Sequence, residues 1–208
     1  MDYDVLAFIG RFQPFHMGHK AVVDEALKRA KKVALVLGSH DQPRNVRNPF
    51  TTAERIDMIS AVYPDEVATG RIVFVPQADW TYSLDRWIME TQAKVTQVAN
   101  TPYTPDPVNI GLIGHSKDHT SFYLTSFPSW GSEEVKNVSG IDATAIRSQL
   151  FSGYGCTIDR DVLPGEVADY LDAWVKADDV DHQNGSYYRN GDLLVDDSFA
   201  AIRERAAV

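Results

Sequence analysis

A single cysteine in 208 residues, Cys156, excludes an intramolecular disulfide and a cysteine-based zinc site; its simplest use is as a structural thiol in a reducing compartment. Basic charge is scarce as well. Twenty lysines and arginines face 29 acidic residues, a formal net charge of −9, and no basic run is available to neutralise a duplex phosphate backbone. Nucleic acid is therefore not an expected partner. The sequence shows no N-terminal signal peptide and no apolar run of bilayer-spanning length, so no membrane association is expected and the cytosol is the expected compartment. Two nucleotide-binding signatures are missing. Without Gly-x-x-x-x-Gly-Lys-Ser/Thr, transfer of a terminal phosphoryl by a P-loop is not expected, and the Gly-x-Gly-x-x-Gly dinucleotide fingerprint is absent too.

What the sequence does contain is a turn suited to phosphate. Val5 to Ile9 form a continuous apolar run of the kind buried in a parallel sheet, and Lys20 to Lys31 carry apolar residues at helical spacing, namely Val22, Val23, Ala26, Leu27 and Ala30. Between them lies Gly10-Arg11-Phe12-Gln13-Pro14-Phe15-His16-Met17-Gly18-His19. Gly10 and Gly18 allow close backbone approach, Pro14 stiffens the turn, and the N–H groups of the following helix favour an anion. His16 and His19 stand three apart where that helix begins.

Apolar runs and amphipathic stretches alternate in a βαβα rhythm, which predicts an α/β fold: a Rossmann-like open parallel sheet of five strands with helices on both faces. The strands are expected at Val5–Ile9, Val33–Leu37, Ile72–Val75, Val108–Ile113 and, more weakly marked, around Glu134–Val138. Helices are expected at Thr51–Tyr63, where Thr51 and Glu54 have capping-box spacing, at Ser83–Val98, at Ala143–Phe151, and from Pro164 through Lys176. Residues 1–176 read as one domain. The stretch 177–208 is polar and turn-prone, then weakly helical at Asp196–Ala207, and reads as an appendage or linker.

The Gly10–His19 string resembles the first signature of the nucleotidylyltransferase superfamily, whose His-x-Gly-His motif contacts the phosphates of a nucleoside triphosphate. Its Gly-Arg-Phe-Gln-Pro form resembles the nicotinamide mononucleotide adenylyltransferases of archaeal type and the related bifunctional enzymes with an added Nudix hydrolase domain. No Nudix box is present here, so either that domain is naturally lacking or the chain is a shorter piece; the sequence leaves both open. The resemblance runs from about Asp4 to Lys176.

Further segments carry the likeness, each just after an expected strand, where open α/β sheets bind ligands. Gly38-Ser39-His40 and Arg47-Asn48-Pro49-Phe50-Thr51-Thr52-Ala53-Glu54-Arg55 resemble the family's Gly-Ser and Asn-Pro-Phe-Thr…Glu-Arg segments. Arg55 puts a cation in the first turn of a helix, against the macrodipole, which suggests an anionic partner. Asp79-Trp80 through Trp87 matches the region that holds the nicotinamide end; an indole can stack on a flat pyridinium. The resemblance selects Trp87, with Trp80 the alternative, although Leu84, Trp87 and Ile88 also form the apolar stripe of a helix. Gly114-His115-Ser116-Lys117-Asp118 resembles the Gly-His-x-Lys-Asp run of the bifunctional branch. Ile141-Asp142-Ala143-Thr144-Ala145-Ile146-Arg147 resembles the second signature, usually Ile-Ser-Ser-Thr-x-x-Arg; Asp142 and Ala143 replace its serines. Asp142 either caps the helix or sets a carboxylate near phosphate.

By the resemblance, the chain transfers AMP from ATP to nicotinamide mononucleotide, giving NAD and pyrophosphate by direct in-line attack. His16, His19, Arg11 and Arg147 are the expected catalytic residues. Gly10, Phe12, Gln13, Gly18, Gly114, His115, Lys117, Asp118 and Thr144 are expected at ATP and its phosphates; Gly38, Ser39, His40, Asn48, Arg55, Asp79, Trp80 and Trp87 at the mononucleotide. Mg²⁺ would bridge phosphate oxygens with few or no protein ligands. A homo-oligomer is expected. The rivals are a related adenylyltransferase acting on nicotinic acid mononucleotide or phosphopantetheine, a non-catalytic dinucleotide-binding regulator, and a metal-dependent hydrolase built on His16, His19, His115 and His119.

Overall fold

A computed structural model of the chain describes residues 1–45, 47–99, 108–115, 126–136, 141–151, 159–176, 180–183, 186–189 and 192–193. None of the described helices is long and apolar enough to cross a membrane. Two compact units share the chain: Met1–Arg11, Gly18–Asp41 and Tyr63–Ser139 form the first, and Phe12–Met17, Gln42–Val62 and Gly140–Val208 the second.

The first unit is built on a parallel sheet of β1 (Tyr3–Gly10), β2 (Ala30–Leu37), β3 (Ile72–Pro76), β4 (Ile110–Gly114) and β5 (Gly131–Glu134), in the order β3-β2-β1-β4-β5. Side chains alternate across a strand, and β1 divides them between two apolar faces. Val5, Ala7 and Ile9 join Ala34, Val36, Val75 and Leu112 in one cluster, closed by Val95 and Ala99 of α4 (Leu84–Ala99). Leu6 and Phe8 are buried on the other face, where the ring of Phe8 meets His19 of α1 (Met17–Arg29) at 5.9 Å. Helices thus cover both faces, and each fully buried Leu, Ile, Val or Phe contributes about 1.5–3 kcal/mol over its exposed state. A short α3 (Pro64–Ala68), with proline in its first turn, leads into β3.

At the edge of this sheet Tyr3 lies across β4 and β5. A Cβ on Gly111 would stand 2.6 Å from its ring, and one on Gly131 2.6 Å from its hydroxyl oxygen, so both glycines are there for close approach. The hydroxyl donates to Glu133 at 2.9 Å, which also takes Arg29 at 2.5 Å.

The second unit holds α2 (Thr52–Val62), α5 (Ala143–Phe151), α6 (Gly165–Lys176) and a small antiparallel sheet of β6 (Val180–Gln183), β7 (Ser186–Arg189) and β8 (Asp192–Leu193). The expected capping box forms. Thr51 N–H donates to Glu54 Oε2 at 2.8 Å while Glu54 N–H donates to Thr51 Oγ1 at 3.3 Å. α2 and α6 pack on each other, with Phe50 and Trp174 edge to face at 5.3 Å.

Three expectations need correction. Ala30 belongs to β2, paired with Tyr3, rather than to the first helix, because the helix ends at Arg29 and the strand register begins one residue later. The fifth strand is Gly131–Glu134 rather than a segment around Glu134–Val138: it is an edge strand of polar and glycine residues, so it carries no apolar run. Within 177–208, read as turn-prone appendage, the described residues include three short strands, with Gln183 paired to Ser186. Residues 196–207, expected to be weakly helical, and Cys156 lie outside the described residues.

Candidate functional site

In the second unit, three of the segments singled out in the sequence converge on Gln13. Its side-chain amide is paired twice with the backbone of Phe50: Nε2–H donates to the carbonyl at 2.8 Å and Oε1 accepts the N–H at 2.9 Å. That partner fixes the amide orientation. The backbone carbonyl of Gln13 takes Arg147 Nη1–H at 2.8 Å, while Arg147 Nη2–H reaches Thr144 Oγ1 at 3.2 Å. Both side chains are almost fully buried, Gln13 at 2 % exposure and Arg147 at 6 %. The turn itself is locally strained. Phe12 holds a φ of 52°, a left-handed conformation rare for a bulky residue, and its ring is buried beside Phe15 at 6.2 Å. His16, 5 % exposed, closes the turn directly before α1.

The Asn48–Arg55 segment is organised from below by Glu54. Its carboxylate takes Arg44 at 2.5 Å and Thr51 Oγ1 at 3.0 Å on one oxygen, and Trp174 Nε1–H at 3.2 Å on the other. Burial would push this carboxyl up, but the Arg44 and Thr51 hydrogen bonds outweigh it and hold it below the usual glutamate range. Arg55 is buried to 1 % exposure, with Nε–H directed at Thr51 O (3.3 Å) and Nη2–H at Thr52 Oγ1 (3.0 Å). Asn48 is buried in a loop closed by the reciprocal backbone bonds of Asn45 and Asn48. At the start of α5, Asp142 Oδ1 accepts the N–H of Thr144 at 2.9 Å, so Asp142 caps the helix.

In the first unit, functional candidates gather at the carboxyl ends of the strands. Gly38 N–H donates to Gly10 O at 3.0 Å, joining the ends of β1 and β2 beside Arg11, whose Cγ is 3.8 Å from where a Gly38 Cβ would stand. Ser39, with a φ of 53°, gives both its N–H (3.1 Å) and its hydroxyl (2.6 Å) to the two carboxylate oxygens of Asp79. The exposed His40 is tied by its backbone N–H to Gln77 O at 3.2 Å. Gly114 ends β4, and the ring of His115 after it stands with Nδ1 2.9 Å from Val135 O and Nε2 3.2 Å from Gly18 O. His115 thereby braces the first turn of α1, which carries His19.

Trp80 and Trp87 have different surroundings. Trp87 packs on the sheet's hydrophobic cluster, its ring 6.1 Å from Phe127, which stacks in turn on Trp130 at 4.7 Å. Trp80 lines an open depression with Ser83, Asp85, Arg86, Met89 and Glu90. Lys117 and Asp118 lie outside the described residues.

Sequence reasoning passed over Phe50, Glu54 and Trp174 as parts of one network, because their contacts join residues 120 positions apart. It also passed over Arg86 and Glu90. For Glu90 a signal existed: Glu90 and Lys94 have the i,i+4 spacing of a helical ion pair, and the pair forms at 2.6 Å.

Residues 7–148 match the cytidylyltransferase-like family. Over 152 residues the chain is 36% identical to a nicotinamide/nicotinic acid mononucleotide adenylyltransferase of Acinetobacter baylyi, covering 73% of this chain and 77% of that protein. It is 45% identical over 149 residues to a nicotinamide-nucleotide adenylyltransferase of Methanocorpusculum labreanum, covering 70% and 79%. Among solved structures, a bifunctional NMN adenylyltransferase/ADP ribose pyrophosphatase from Francisella tularensis superposes with a TM-score of 0.67 at 31% identity over 85% of this chain. This chain spans 51% of that structure's length. The same enzyme complexed with AMP and a manganese ion gives a TM-score of 0.68 at 29% identity, covering 85% of this chain and 50% of that one.

Proposed function

The chain belongs to the cytidylyltransferase-like family, and from that premise we infer that it joins ATP and nicotinamide mononucleotide into NAD with release of pyrophosphate. The 5′-phosphate oxygen of the mononucleotide attacks the α-phosphorus of ATP; the bond from that phosphorus to the bridging oxygen breaks, and pyrophosphate leaves. One observation carries the reading most directly: the turn before the His-x-Gly-His helix is bonded to Arg147 of the Thr-x-x-Arg helix through Gln13. Two segments with phosphate chemistry, 134 residues apart in sequence, are thus joined.

The reaction needs positioning and charge neutralisation, with no covalent intermediate on the protein. We assign the triphosphate to His16, His19, Thr144 and Arg147, and further phosphate charge to Arg11 and Arg55. At the start of α5 the Asp142 carboxylate takes the Thr144 N–H, and Thr144 Oγ1 accepts from the Arg147 guanidinium. His115, with its ring nitrogens 2.9 Å from Val135 O and 3.2 Å from Gly18 O, lies against the start of α1. The mononucleotide falls to the Gly38–His40, Asn48 and Asp79–Trp87 segments.

Among the described residues no three His, Cys, Asp or Glu side chains are gathered as metal ligands. We propose that Mg²⁺, with few or no protein ligands, would neutralise charge on the triphosphate. We further take residues 1–176 as the transferase domain and the cytosol as its compartment.

The test is a panel of nicotinamide mononucleotide, nicotinic acid mononucleotide and phosphopantetheine, each with ATP and Mg²⁺, reading pyrophosphate release. Turnover with a pyridine mononucleotide and none with phosphopantetheine is expected. Turnover with phosphopantetheine alone would overturn the reading.

A further inference from the structure

The backbone of Phe50 is held from two sides. Arg44 Nη1–H donates to Pro49 O at 2.8 Å, and the N–H of that same peptide donates to Gln13 Oε1 at 2.9 Å. In the next peptide the order reverses: Phe50 O accepts Gln13 Nε2–H at 2.8 Å, while Thr51 N–H donates to Glu54 Oε2 at 2.8 Å. A peptide is a rigid plane with its oxygen and hydrogen on opposite edges, so turning either one toward one partner takes it away from the other. The Gln13 amide and the Arg44–Glu54 ion pair therefore grip the same two peptides from opposite edges, and each limits how the other can sit.

The ion pair is anchored in turn. Arg44 Nη1 and Glu54 Oε2 stand 2.5 Å apart, with side chains only 11 % and 12 % exposed. The other Glu54 oxygen takes Trp174 Nε1–H of α6 at 3.2 Å, and the Trp174 ring meets that of Phe50 edge to face. One side chain of α6 thus touches both the pair and the residue whose backbone the pair orients. A buried ion pair is a poor source of stability, since taking two charges out of water offsets much of their attraction. Among the described residues no acceptor meets the buried Arg44 Nε, which adds to that cost.

The arrangement instead sets a position. Gln13 O accepts Arg147 Nη1–H at 2.8 Å, and the buried His16 lies in the same turn. We propose that Glu54, acting with Arg44 and Trp174, is a positioning residue for the phosphate chemistry. It holds the Phe50 backbone, through it the Gln13 turn, and through that turn the Arg147 guanidinium, while touching no substrate itself.

The inference rests on the adenylyl-transfer reading given above, and its test lets the two fail separately. Glu54→Gln keeps the shape but leaves one oxygen where two are used, because its NH₂ group meets a donor on either side. Trp174→Phe removes the N–H and keeps an aromatic ring beside Phe50. Each variant is made alone and with Gln13→Met, and kcat, both Michaelis constants, melting temperature and the exchange rate of the Phe50 amide hydrogen are measured. Each alone is expected to lower kcat by roughly tenfold, within the ceiling of about 10²-fold for misplaced reacting groups, with Michaelis constants changed by less than about twofold. Exchange at Phe50 should quicken in both. With Gln13→Met present, the further loss in kcat should nearly vanish, because the route to Arg147 is already broken. Arg44→Lys, which keeps a cation and a donor, should retain more of kcat than Arg44→Met.

Normal kcat in both Glu54→Gln and Trp174→Phe, or losses that simply multiply with that of Gln13→Met, would overturn the proposal. A raised Michaelis constant with kcat retained would do so too, since it would make Glu54 a substrate contact. If Glu54→Gln does not fold, Trp174→Phe decides. Wild type that turns over no pyridine mononucleotide would remove the reading on which this rests; unchanged exchange at Phe50 in both variants of an active enzyme would remove the positioning alone.

Discussion

Gln13 sits in a motif where a polar side chain invites assignment as a ligand, yet both ends of its amide are bonded to Phe50. Its contribution is to hold the turn in place. Gln13→Met, similar in length and unable to pair, should lower kcat by up to about 10²-fold with a much smaller change in the Michaelis constants, because misplacement of reacting groups by about 1 Å has that cost. A change in Michaelis constant alone would instead make Gln13 a substrate contact. His19→Ala should lower turnover about 10²–10³-fold with the fold retained by circular dichroism, as expected for loss of an electrostatic stabiliser. Near-normal turnover at saturating substrate would remove His19 from the assignment. At Asp142, serine caps a helix about as well as aspartate, so Asp142→Ser should leave melting temperature and the ATP Michaelis constant unchanged, whereas alanine should cost about 1 kcal/mol of stability. At this scale the sequence revealed which residue types matter, but not which are ligands and which are braces. Gln13 and His115 show why: their hydrogen bonds run to backbone atoms of Phe50, Gly18 and Val135, and backbone partners leave no mark in side-chain spacing.

Elements were legible where their signals are local. The start of α2 was readable because the capping box spans only Thr51 to Glu54, and its bonds form as expected. The β5 strand was not, since Gly131-Ser132-Glu133-Glu134 has neither alternation nor an apolar run, and its pairing with β4 is decided by tertiary contact. The α2–α6 pair yields a prediction about acid. Glu54 has its carboxyl depressed in the folded protein, so the stabilisation linked to it is present above the ordinary glutamate value of 4.5 and is lost as pH falls through the lower folded value. Chemical denaturation at pH values from 6 down to about 3 should therefore show Glu54→Gln losing less stability with acid than wild type. Equal slopes for the two proteins would mean that the Arg44–Glu54–Trp174 network contributes nothing to acid sensitivity.

For the whole molecule, the βαβα rhythm was enough to identify the open parallel sheet, because buried parallel strands appear as apolar runs. The rhythm did not reveal how Tyr3 closes the edge of that sheet, over two glycines more than 100 residues away. Gly111→Ala should lower stability by about 1–3 kcal/mol, since the new methyl has to displace the Tyr3 ring and Leu6. Combining it with Tyr3→Ala should restore part of the loss, and strict additivity of the two changes would show that they do not share that space.

The strand order also governs how the chain emerges during synthesis. β1 is the middle strand; on one side it pairs with β2, whose register begins at Tyr3 and Ala30, and on the other with β4, where Val5 meets Ile110. A ribosome adds about 5–20 residues per second, so the β4-facing edge of β1 waits several seconds after its β2-facing edge can be satisfied. Throughout that interval Val5-Leu6-Ala7-Phe8-Ile9 offers an apolar, uncharged edge to any other nascent chain nearby. Yield of native protein should consequently improve with slower initiation or cooler expression, which lower the number of half-made chains that can meet.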